Sequence, residues 1–127
     1  MTVFLVCAGL IGLLAAGLTG YIGRLRGAKR ISLGDGGDPE MLAAVRAHGN
    51  LIEFAPLSLL LIYLLQGPYG DGWMAVLSVL LVVARFAHAG GMLGLVRHGR
   101  FIGAATNSIL LVVTSALLVL AGFGVRF

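Results

Sequence analysis

The chain has 127 residues, of which 59% are apolar and a further 20 are glycine. Only 11% carry charge, against about 25% in soluble domains. This excludes an ordinary soluble globule, a disordered chain and a disulfide-stapled secreted domain, and the length suits one domain. The net charge of +4 is not a nucleic-acid signal, because the basic residues stand where apolar runs end. What remains is a small polytopic membrane protein of the all-α class.

A membrane-spanning helix needs about 20 mostly apolar residues. Residues 1–23 carry no charged side chain and form the first predicted span. With no basic stretch at the start and no clear cleavage site, this segment reads as a retained helix and not as a removed signal peptide. Cys7, the single cysteine, lies inside it and has no disulfide partner in the chain. It has no metal-ligand spacing around it, and no metal site is expected. The basic stretch RLRGAKR follows, and then residues 31–40 break the pattern with three glycines, a proline and three acids, which predicts a loop. Pro39 opens the next helix, with Asp38 as its N-cap.

The second span is predicted over 39–66. Its first half is polar, with Arg46, His48, Asn50 and Glu53, and its second half is lipid-like. GPYGDG at 67–72 predicts a tight turn. The third span, 72–96, is interrupted by Arg85 and His88. RHGR at 97–100 is a short basic connection in which His98 reads as a solvated residue. The fourth span, 101–125, is free of charge. The whole is a four-helix transmembrane bundle. Gly12, Ala16 and Gly20 on span one, and Gly90 and Gly94 on span three, repeat at i+4 and would permit close helix packing.

Loop one carries Arg24, Arg26, Lys29 and Arg30, and loop three carries Arg97 and Arg100, whereas the turn between spans two and three carries only Asp71. The positive-inside rule then puts loops one and three in the cytoplasm and both termini on the opposite side, with Arg126 as a minor counter-vote. Tyr69, Trp73 and Phe127 fall at the outer ends, where aromatic belts form.

Ionisable groups inside membrane helices are costly and must face one another, a partner chain or a water-filled cavity. At about 100° per residue, Arg46, Asn50 and Glu53 fall within about 60° of one another. Arg85, His88 and Met92 make a second stripe on span three. These stripes suit either a hydrophilic pocket floored by Glu53 and rimmed by arginines, or interhelical ion pairs such as Glu53 with Arg85. Pro56 bends span two, which either opens such a pocket or is a plain kink. Arg24, Arg46, Arg97 and Arg100 bring guanidinium forks to one end. Such forks bind carboxylates bidentately, and they also serve topology and lipid headgroups.

The stretch RAHGNLIEFAPLSLLLIYLL at 46–65 resembles the second-helix signature of the MAPEG family, the membrane-associated proteins of eicosanoid and glutathione metabolism. RLR after span one, the LGDGGDPEM loop, ARFAH at 84–88 and the basic third connection fit in the same order. The resemblance implies a four-helix subunit that assembles as a homotrimer, with glutathione as co-substrate in a cytoplasm-facing pocket between neighbouring subunits. It implies that Arg24 helps hold a glutathione carboxylate, that Glu53 receives the glutathione amine, and that Arg46 and Asn50 complete the helix-two set. His48 and His88 stand at positions where related members carry histidine or another polar residue. Arg100 matches the arginine that activates the thiol, with Arg97 as the next candidate. Met92 and Phe54 stand where other members carry tyrosine, and Gly49 where some carry arginine.

Three functions follow from this reading. The first is a glutathione-dependent transferase or peroxidase acting on lipophilic small molecules that arrive from the membrane lipid. The second is a non-catalytic lipid- or ligand-binding protein on the same scaffold. The third is a small multidrug exporter, which ranks last because such proteins carry their membrane carboxylate in the first helix, and here that helix has none.

Overall fold

The computed structural model describes residues 1–125. Arg126 and Phe127, read above as a topology charge and a belt aromatic, lie outside the described residues. Four helices follow one another: α1 (Thr2–Lys29), α2 (Pro39–Leu64), α3 (Gln66–Met92) and α4 (Gly99–Gly122). Each is long and apolar enough to cross a membrane. At about 1.5 Å per residue, even the 24 residues of α4 exceed a hydrocarbon core of about 30 Å.

Helix α1 runs past the predicted end of its span. RLRGAK continues the helix and is not loop, because arginine and lysine are good helix formers and favour the last turn, where the dipole is negative. Arg30 closes α1 in the left-handed conformation, φ 55°, and the Ile31 amide donates back to the Arg26 carbonyl at 3.1 Å. Helix α2 begins as expected. The Asp38 carboxylate accepts the Met41 amide proton at 2.8 Å, and Pro39 occupies the first turn. Lys29 Nζ reaches both Asp38, at 2.7 Å, and Glu40, at 2.8 Å, so the end of α1 is strapped to the start of α2.

The predicted turn at 67–72 is instead one helical turn followed by a break. Gly70 at φ 82°, ψ 179° takes a conformation essentially confined to glycine, and the helix resumes after it. Asp71 there accepts from the N-terminal ammonium at 2.7 Å and from Gln66 at 3.1 Å. The Tyr69 hydroxyl donates to the Leu117 carbonyl on α4 at 3.0 Å.

Helices α2 and α3 form the centre of the bundle, and α1 and α4 flank them with no close approach of their backbones to each other. The core holds Leu51, Ile62, Leu65, Met74, Leu81 and Leu110, with Ile11 and Leu18 from α1. A smaller cluster of Leu25, Met41 and Ala44 sits beneath loop one. Close packing is concentrated between α3 and α4. A Cβ at Gly99 would strike the Ala87 carbonyl, one at Gly103 the Ala84 carbonyl and the His88 backbone, and one at Gly91 the Arg100 backbone. The small residues of α1 do not serve this purpose, because Gly12 and Gly20 have no neighbouring heavy atom within 4 Å of a Cβ. They face outward from the chain.

Candidate functional site

The polar residues of α2 and α3 divide into an interior group and an open group. Arg85 belongs to the interior, with 2% of its surface exposed. Its Nη1 donates to Asn50 Oδ1 on α2 at 3.0 Å, and its Nη2 donates to the Gly103 carbonyl on α4 at 2.9 Å. One guanidinium therefore ties three helices together. A glycine at 103 lets the α4 backbone come close enough to present that carbonyl. The Glu53–Arg85 ion pair allowed by the sequence does not form. Glu53 is exposed and has no hydrogen bond or ion pair among the described residues. His88, one turn beyond Arg85, is also buried, with its backbone and Cβ against Gly103.

The open group lies at the end of the bundle that carries loops one and three. A notch of about 450 Å³ opens there between the start of α2, the end of α3 and the start of α4. Arg46 and Arg100 line it together with Met92, Gly91, Leu42 and Ala43. Neither arginine is paired with a carboxylate among the described residues. Glu53 follows Arg46 by seven residues on the same stripe of α2 and is open as well. The notch thus offers two guanidiniums able to take anionic oxygens, with a carboxylate further along the same helix face. Nearby, Asp38 has its pKa held below the ordinary carboxylate value, first by the Lys29 ammonium and then by the Met41 amide.

The remaining expected site residues stand elsewhere. His48 turns towards α1, with Nε2 3.1 Å from Thr19 Oγ1. Arg24 is exposed on α1, its guanidinium over the Tyr21 ring at 5.6 Å from the centroid. Arg97 is exposed in the third connection and donates through Nε to His98 at 3.1 Å. Pro56 lies inside an unbroken α2 and lines a separate apolar cavity against α1, away from the notch.

Sequence reasoning passed over α4 because it lacks charge. Yet Gly103, Asn107, Leu110 and Thr114, spaced four, three and four apart, are its buried face. Asn107 Oδ1, Arg85 Nε and Ser58 Oγ are buried without a hydrogen-bond partner among the described residues. A polar stripe at that spacing in an uncharged span was the available signal.

Four apolar helices around a buried guanidinium define a multi-pass integral membrane protein. The sequence profile of the MAPEG family matches residues 4–120, and the chain belongs to that family. Inner membrane protein YecN of Escherichia coli strain K12 is 33% identical over 66 residues, which is 51% of this chain and 50% of the relative. YecN of Escherichia coli O6:H1 matches to the same extent. The chain spans about half the length of the curated relatives it matches.

Proposed function

We propose that the protein binds glutathione in the notch between α2, α3 and α4 and uses its thiolate against lipophilic electrophiles, as a transferase or peroxidase. The observation that carries this reading is the convergence of Arg46 and Arg100 on one open notch of about 450 Å³, with Glu53 on the same face of α2. Glutathione carries two carboxylates and one ammonium. The Arg46 guanidinium suits a carboxylate and Glu53 suits the ammonium, which leaves Arg100 to face the thiol. A free thiol has a pKa near 8.5, and a nearby guanidinium stabilises the reactive thiolate. Arg100 is assigned that role. Arg24 and Arg97 stand outside the notch of their own chain.

The same reading includes a homotrimer. Arg46 and Glu53 are exposed on the single chain, and a carboxylate facing hydrocarbon is costly, so neighbouring copies would cover this face of α2. It also includes the orientation, with loops one and three cytoplasmic and the termini opposite. A second reading, non-catalytic ligand binding, is favoured by one observation: Met92 lines the notch and brings no hydroxyl to it.

The two readings separate in one experiment. Calorimetry measures glutathione binding to detergent-purified protein, and an ultraviolet titration follows the thiolate of the bound ligand. Arg100→Ala should lower conjugation of an aryl halide about a hundredfold, which corresponds to roughly 2.7 kcal/mol, and raise the bound thiol's pKa while changing affinity little. Binding without a thiolate band at neutral pH overturns the enzyme reading in favour of ligand binding. No glutathione binding at all overturns the glutathione reading and leaves the non-catalytic lipid- or ligand-binding one.

A further inference from the structure

Away from the notch, an apolar trough runs along the bundle between α1 and α3. It consists of two slots, one of about 660 Å³ and one of about 350 Å³. Leu14, Leu18, Phe86 and Leu93 form the wall common to both. Val82, Gly90 and Val96 extend the larger slot, and Leu13, Gly17 and Tyr21 the smaller one. No residue of the arginine notch lines either slot.

The trough changes character at its loop end. Gly17, Tyr21 and Arg24 fall on one stripe of α1, since seven residues return to within about 20° of the start. The Arg24 guanidinium rests over the Tyr21 ring. On the other wall, the chain passes from Leu95 and Val96, which line the larger slot, directly into Arg97. Both arginines are exposed, and neither is paired with a carboxylate among the described residues. The carboxylate nearest Tyr21 is already engaged: Glu40 accepts from the Tyr21 hydroxyl at 2.7 Å and from Lys29 at 2.8 Å.

We infer that the trough binds one anionic diacyl phospholipid of the surrounding membrane, with an acyl chain in each slot and the phosphate between Arg24 and Arg97. A hydrocarbon trough on a bundle in a bilayer meets acyl chains before anything else. Two slots sharing one wall match two chains that leave a common glycerol. The unpaired guanidiniums at one end supply the charge complement of an anionic headgroup. The trough shares no lining residue with the notch of its own chain, and lipid binding there does not require glutathione to bind in that notch.

The test uses the full chain in nanodiscs of phosphatidylcholine containing phosphatidylglycerol. The protein is re-extracted in mild detergent, and the retained phospholipid is counted by mass spectrometry. Phosphatidylglycerol should remain at about one per chain while phosphatidylcholine washes out. The Arg24→Ala, Arg97→Ala double variant should lower that retention about tenfold. Gly17→Leu should also lower it with both arginines intact, since no heavy atom stands within 4 Å of a Cβ at 17 and the added side chain enters the smaller slot. Equal retention of the two lipids, or retention unaffected by both variants, overturns the inference. So does disulfide crosslinking between chains through Gly17→Cys in a Cys7→Ser background, which would put a second copy in the trough.

Discussion

Arg85 decides how the polar residues of this bundle are arranged. A guanidinium taken out of water is destabilising unless its donors are met, and here Asn50 and the Gly103 carbonyl meet two of them. Asn50→Leu removes one partner while keeping the volume. It should destabilise the detergent-solubilised protein by about 1.5–3 kcal/mol, the range for a hydrogen bond to a charged group. Thermal unfolding followed by circular dichroism measures this, and an unchanged transition would show that the Asn50 bond contributes nothing. Arg46 and Arg100 are the opposite case, because both are exposed, with no carboxylate to hold them among the described residues.

At the level of elements, the α3–α4 contact rests on backbone approach and not on large side chains. Gly103→Ala puts a methyl group against the Ala84 carbonyl and the His88 amide and must push the helices apart. A loss of about 1–3 kcal/mol is expected, as for other overpacked interiors. Gly20→Ala on the outward face of α1 meets nothing and should be neutral or stabilising by up to about 1 kcal/mol through helix propensity. The same unfolding measurement on the pair separates packing glycines from merely abundant ones. The strap between α1 and α2 has a pH signature. Asp38 is depressed below its unfolded value near 3.9, so its contribution is fully present above about pH 4 and is lost as pH falls through the lower folded value. Hydrogen exchange at the Met41 amide, corrected for intrinsic rates, should show protection at pH 6 that fades below pH 4. In Asp38→Asn that pH dependence should be absent.

For the whole molecule, the open question is what covers the α2 stripe. A lone chain leaves Glu53 exposed on a helix that crosses hydrocarbon. Three copies with these faces turned inward would remove the cost, and native mass spectrometry in mild detergent should give a mass three times that of the chain. A stable monomer across detergents would overturn the trimer.

Four spans, the Asp38 cap and the Pro39 start were legible in the sequence because each rests on local chemistry. Hydrophobic length, a side-chain acceptor at a helix end and a ring without an amide proton need no distant partner. The polar stripe of α2 was legible too, as helical periodicity alone puts Arg46, Asn50 and Glu53 on one face. The partners of those residues were not. Glu53 and Arg85 suggested each other by charge, but Arg85 is met by Asn50 and by a carbonyl that three-dimensional packing delivers. Which glycines pack and which face outward was equally hidden, since Gly12 and Gly103 look alike until a neighbouring backbone lies against one of them. Helix periodicity is written along a single strand of sequence. The convergence of Arg46 and Arg100 on one notch, and of α1 and α3 along the trough, depends on how four separate helices settle against one another, and only the tertiary structure decides that.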